Sequence, residues 1–182
     1  MRRGLLAISR GYVKALNSKF MTPPSSGMIV KEEILLTLSH YYYRFAHSMV
    51  RGVRQRRDQI LGGVWWVDAD VFNTIKHRAL RSDSHLSATA RRDLAVARRW
   101  EGKLDIVVRA LVVKPIAAFK GVGTIQAFES TTSEDESAWI PYAGAVQIYV
   151  PGLLQKDAAT GSRIYQLAFA HVEQTRIGWD PA

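Results

Sequence analysis

The stretch IVKEEILLTLSHYYYRFAHSMVRGVRQRRDQIL, residues 29–61, decides how the rest of the chain is read. It contains no proline, and Gly62-Gly63 follows as a natural stop. Leu35, Leu38, Tyr42, Phe45 and Met49 recur at helical spacing, as a buried seam does. His40, Arg44, His47, Arg51, Arg54 and Asp58 keep the same spacing on the opposite side. The reading is one long amphipathic helix, with one face packed and the other basic.

Residues 1–31 hold Arg2, Arg3, Arg10, Lys14, Lys19 and Lys31 and no acid, while Leu5, Ile8, Tyr12, Leu16 and Phe20 recur at helical spacing. This reads as a basic amphipathic arm, expected to dock on the protein rather than to act as a removed presequence. Thr22-Pro23-Pro24-Ser25-Ser26-Gly27 is its linker. Beyond the glycines, Val64-Trp65-Trp66-Val67 reads as a buried strand, and Asp68 as the N-cap of a helix through Val71, Phe72, Ile75 and Ala79. A further helix is predicted over residues 86–100, with the doublets Arg91-Arg92 and Arg98-Arg99 beside its apolar stripe.

From Leu104 the texture changes to β-branched and aromatic runs at 104–113, 116–120, 124–128, 145–150 and 164–174, each predicted to be a strand. Lys114-Pro115 marks a bend, Gly121-Val122-Gly123 a tight turn, and residues 131–137 an acidic loop. The expected fold is α+β, with N-terminal helices packed on a mainly antiparallel sheet formed by the C-terminal half. The expected organisation is an arm and linker over 1–27, then a single domain over 28–182. In that domain 28–103 is the basic helical part and 104–182 the β part.

Residues 1–103 hold 19 Lys and Arg against 8 Asp and Glu, and residues 104–182 hold 6 against 8. A basic half points to nucleic acid or another polyanion as partner, with a protein partner as a further expectation. The absence of cysteine excludes disulfides and thiolate chemistry and agrees with a cytoplasmic setting. No run approaches the ~18 apolar residues of a transmembrane helix.

The leading expectation is a non-enzymatic binding protein. Its anion contacts would come from Arg44, His47, Arg51, Arg54, Arg91, Arg92, Arg98 and Arg99, with Tyr41 and Tyr43 near the stripe's edge for stacking. The same cations also suit a solvated face, or one that pairs with Glu134, Asp135 and Glu136. His40 and His47 lie two helical turns apart and do not chelate one metal. A structural subunit docking into an assembly is a third alternative.

Two local patterns carry resemblances. Asp68-Ala69-Asp70, after Val64-Trp65-Trp66-Val67, resembles the acidic pair with which sugar-nucleotide glycosyltransferases hold a divalent ion, although the preceding residues read as helix, not as a nucleotide-binding α/β unit. A capping Asp68 and a first-turn Asp70 account for both carboxylates without metal. Arg109, His171 and Glu173, with Gln126 and Gln147, are polar members of apolar strands. Their layout is similar to that of ADP-ribosyltransferases, which use an Arg on an early strand and a Glu on a late one. The resemblance implies the second alternative, an enzyme that cleaves NAD or transfers ADP-ribose from the β half through Arg109, Glu173 and His171, with NAD as cofactor and Tyr165 or Phe169 against the nicotinamide. His171-Val172-Glu173 stands where that family has Glu-x-Glu or Gln-x-Glu, and the Ser-Thr-Ser strand is missing.

Overall fold

The computed structural model describes residues 7–8, 11–12, 14–96, 104–124, 142 and 145–177. Its frame is one antiparallel sheet of seven strands. In chain order these are β3 (Met28–Leu35), β4 (Tyr41–Ala46), β7 (Trp65–Asp68), β8 (Ile106–Val112), β9 (Ala117–Gly123), β10 (Val146–Tyr149) and β11 (Phe169–Arg176), and they lie side by side as β11-β8-β4-β7-β10-β9-β3. Two small ribbons, β1 (Ala7–Ile8) with β2 (Gly11–Tyr12) and β5 (Met49–Val50) with β6 (Val53–Arg54), stand apart from it. The helices are α1 (Arg57–Leu61), α2 (Ala69–Arg81), α3 (Leu86–Asp93) and α4 (Ile164–Ala168). The fold is therefore α+β, but strands occur throughout the chain rather than after the helices.

The long helix over 29–61 is not formed. That span holds four strands and only α1. Its Ile, Val and Tyr content favours extended backbone, where branched and aromatic side chains pack on a pleated surface. Arg51 and Gly52 both have positive φ, 50° and 74°, the pair of values that closes a two-residue hairpin between β5 and β6. The supposed seam divides accordingly. Tyr42 and Phe45 are buried in two different cores, while Leu38 and Met49 are 48% and 45% exposed.

Alternation along the central strands sends side chains to opposite faces of the sheet. On β8, Val108, Ala110 and Val112 enter one core with Trp66, Ile148, Leu153, Ile164 and Phe169. Val107 enters the other with Phe45, Val67, Val71, Ile75 and Ala90, beneath α2 and α3. Helix α2 forms as the sequence predicts, with Val71 N–H donating to the Asp68 carboxylate at 2.9 Å and Val71, Ile75 and Ala79 buried. Helix α3 ends at Asp93, and Ala95 has φ 49°, so the helix expected to continue to residue 100 stops in its third turn. The buried Asp93 carboxylate accepts from Arg78 Nε at 2.8 Å and ties α3 to α2.

Other local expectations are corrected as well. Residues 164–168 are helix α4, and the strand expected over 164–174 begins only at Phe169. Gly121-Val122-Gly123 is not a turn but the end of β9. There Gly121 approaches Ile29 O of the bulged β3 so closely that a Cβ would strike it. Most of 124–128 and all of 131–137 lie outside the described residues.

In place of a helical arm, the described N-terminal residues give the β1–β2 ribbon and one 3-10 turn at Ser18–Phe20. This segment is docked through a fully buried Asn17. Its amide nitrogen donates to Ala117 O at 2.8 Å and Pro151 O at 2.9 Å, and its Oδ1 accepts from Ala117 N at 2.9 Å. Leu16 and Phe20 pack against the first core on either side of it. Replacing Asn17 by Ala strands a buried N–H and two carbonyls, so Asn17→Ala should cost about 2–3 kcal/mol, read as a lower urea midpoint at unchanged slope. An unchanged midpoint would separate this segment from the cooperative unit.

Candidate anion-binding groove

Ile106 opens β8 and pairs with Ala46 of β4 on one side and Arg176 of β11 on the other. The chain leaving β4 and the end of β11 are thus two strand spacings apart, roughly 10 Å. Ser48, just past β4, is fixed by the Asp105 carboxylate, which accepts from its backbone N–H at 2.8 Å and from its hydroxyl. From that anchor the β5–β6 hairpin rises. Gln55 N donates to Ser48 O at 2.8 Å to close its base, and α1 begins at once, with Arg56 N donating to the Gln59 side chain at 2.9 Å.

Between hairpin, α1 and β11 runs a groove of about 470 Å³ lined by Ser48, Arg54, Gln55, Arg57, Gln174, Thr175 and Arg176 over a floor of Ile60, Ile106 and Val172. No carboxylate lines it. Two acids lie close by without lining it: Asp105 is bonded to Ser48, and Asp58 to Tyr165 Oη at 2.6 Å and Arg163 Nε at 3.0 Å. Among the described residues Arg54, Arg57 and Arg176 make no salt bridge. The polar side chains of Gln55, Gln174 and Thr175 complete a surface that can hydrogen-bond phosphate oxygens.

The residues expected to bind anions are only partly gathered here. Arg54 lines the groove, and Arg51 is at the tip of the same hairpin. Arg44 points elsewhere, its Nη1 donating to Ile60 O at 3.1 Å, and His47 lines a separate cavity. Arg91 is 9% exposed, with Nη1 3.4 Å from Val96 O, and Arg92 pairs with Asp93 at 3.4 Å. Helix α3 is too short to display them as one stripe. Arg98 and Arg99 lie outside the described residues. Tyr41 is covered by Arg109 at 3.6 Å, and Tyr43 stacks on Phe72 at 4.1 Å, so neither edges the groove. Arg57 and Arg176 were missed: Arg176 meets the hairpin only through strand pairing, which leaves no trace in local sequence.

Arg109 and Glu173 are register partners on β8 and β11 and bind each other, Nη1 to Oε2, at 3.2 Å. The pair holds Arg109 above its ordinary pKa and is exposed on both sides, 37% and 60%. Neither residue lines the groove. Gln147 donates to Leu94 O under the α3 loop, and Gln126 is outside the described residues. Tyr165 and Phe169 are core residues, the one bonded to Asp58 and the other 4.9 Å from Trp66. His171 sits at the bulge between Ala170 and Glu173 with φ 46°. Asp68 and Asp70 border a third hollow with His40 and Lys120, where Asp68 is spent on its cap. Among the described residues no cluster of three His or carboxylate side chains is placed to hold a metal, and no helix is long and apolar enough to cross a membrane.

No family model matches this chain, and no curated protein or solved structure is detectably similar to it.

The Tyr165 hydroxyl is the largest influence on the Asp58 carboxyl and, with Arg163 and Arg56, holds it below its ordinary pKa against the opposing cost of desolvation. A carboxyl depressed in the folded state stabilises above its unfolded pKa, about 4, and that stability is lost as pH falls through the folded value. Asp58→Asn should therefore lower the urea midpoint at pH 7. The gap to the parent should narrow below about pH 4 and close in stronger acid. A gap independent of pH would mean the carboxylate charge contributes nothing.

Proposed function

We propose that this protein binds nucleic acid through the phosphate backbone, using the groove between the β5–β6 hairpin and the end of β11. The observation that carries this reading is the convergence of Arg54, Arg57 and Arg176 on one groove without a lining carboxylate. Three cations drawn from a hairpin, a helix start and a strand end repel one another unless an anion sits among them. Arg51 and the exposed Arg56 extend the same positive field along the hairpin.

The lining also sets the mode of recognition. No aromatic side chain borders the groove, so bases have no stacking platform, and the contacts available are to phosphate and sugar oxygens. Binding of this kind is governed by salt and indifferent to sequence. The exposed hairpin residues Met49 and Val53, 45% and 65% accessible, give the rim an apolar ridge that sits against sugar edges.

The combined variant Arg54→Gln, Arg57→Gln, Arg176→Gln should weaken binding to duplex DNA and reduce the slope of log K against log salt by about 2–3 units, since each phosphate contact contributes about 0.9. Its urea midpoint should stay close to the parent's, because these side chains are solvated. An unchanged slope in a folded triple variant would remove this assignment. Equal loss of affinity for polyglutamate and for duplexes of unrelated sequence would replace nucleic acid by polyanions in general.

A further inference from the structure

Alternation along the central strands sets Tyr43 and Phe45 of β4, Trp65 and Val67 of β7 and Gln147 of β10 on one face of the sheet, beneath the end of α3. Register makes this floor contiguous: Tyr43 pairs with Val67, and the pairing of Ile148 with Trp66 brings Gln147 beside Val67. Leu94, Ala95 and Val96 form a roof, and between floor and roof lies a cavity of about 110 Å³. The roof is fixed by its own helix end, where Leu94 N–H donates to Ala90 O at 3.0 Å, Val96 N–H donates to Arg91 O at 2.9 Å, and Ala95 takes φ 49°. The rings are braced from outside the cavity, Tyr43 by Phe72 in a parallel stack at 4.1 Å and Trp65 by Tyr149 at 5.0 Å.

Gln147, in this floor, is 7% exposed. The orientation of its amide is set, because Nε2 donates to Leu94 O at 2.8 Å and only a nitrogen can do so. Oε1 accepts from no donor among the described residues. Unlike Arg44 Nε it is not a sealed atom, so it keeps a surface open to the cavity that its side chain lines. A buried acceptor without a donor is a costly group for a core to keep. Arg44 leaves β4 on the opposite face, its guanidinium at Ile60 O and Gly63, and no carboxylate lines the cavity, so the lining favours a neutral ligand. An apolar cavity of about 150 Å³ holds benzene, so this smaller, partly open space takes a single ring.

We propose that this cavity binds a neutral single-ring aromatic that carries one hydrogen-bond donor, a phenol being the simplest, with its ring among Tyr43, Phe45 and Trp65 and its O–H donating to Gln147 Oε1. The donor completes the one acceptor that the floor leaves open. The three rings and the aliphatic roof select a planar apolar body over an open-chain alcohol. This site is independent of the arginine groove, with which it shares no lining residue.

The test uses the full chain at pH 7 and two compounds of equal shape, phenol and toluene, followed through the indole N–H resonance of Trp65 and the side-chain amide resonances of Gln147. Phenol should shift the Trp65 resonance saturably, and it should move the Gln147 amide where toluene does not. Gln147→Leu keeps the volume and removes the acceptor, while the roof keeps its own helix-end bonds. This variant should lower the affinity for phenol relative to toluene by about tenfold, the worth of one hydrogen bond to a buried acceptor. A phenol-to-toluene ratio unchanged by Gln147→Leu overturns the proposal, as does the absence of phenol binding to the unaltered protein. Should the variant not fold, the amide resonances of the unaltered protein decide alone: equal movement with both compounds overturns it.

Discussion

The pairing of β4 with β8 is the constraint on which the rest of this molecule depends. Six register pairs join Tyr41–Ala46 to residues 106–111 in the middle of the sheet, and both strands are buried on both faces. Because successive side chains alternate, this ladder supplies Tyr42, Ala46, Val108 and Ala110 to one core and Phe45 and Val107 to the other. A shift of one residue would exchange the two sets, placing side chains cut for the cover of α2 and α3 against that of α4. The same register puts Ala46 and Arg176 on either side of Ile106, so the ladder that organises the cores also brings the groove's two walls together.

Local signals in the sequence identified what is locally determined. Asp68 with Val71, Ile75 and Ala79 announced α2, and branched runs announced β7, β8, β9 and β10, because capping and burial periodicity act over a few residues. The failure over 29–61 has an equally physical origin. Tyr42 and Phe45 are three apart, which places them on one side of a helix but on opposite sides of a strand, and a protein with a core on each side of its sheet buries both. Apolar spacing thus imitates a helix wherever a strand is covered twice. The contrary signals were Gly52 and the β-branched residues around it, which a helix interior disfavours by about 0.5–1 kcal/mol at the glycine alone.

The groove was legible in charge but not in place. The excess of Arg and Lys in the first part of the chain pointed to an anion, and Arg51 and Arg54 do stand at the hairpin, yet Arg176 comes from the near-neutral part. Contacts set by tertiary pairing erase the boundary that composition drew. Arg44 shows the reverse. Nothing in His40-Tyr41-Tyr42-Tyr43-Arg44 distinguishes a freely solvated cation from one seated on backbone, because the difference arises from the close approach of Gly63 and from the early parting of β4 and β7.

The bulge in β11 bears on how copies of this protein behave toward one another. Strand β11 is the outer strand at one end of the sheet and leaves one row of backbone groups unpaired within it. The register jumps between Ala170 and Glu173, and His171 takes φ 46°, a left-handed conformation that a residue with a Cβ seldom adopts. An interrupted ladder cannot offer a straight run of donors and acceptors to a second sheet, so the bulge divides a long adhesive edge into two short ones. The local backbone strain at His171 thereby guards against strand-to-strand polymerisation, a colloidal property held by a single residue.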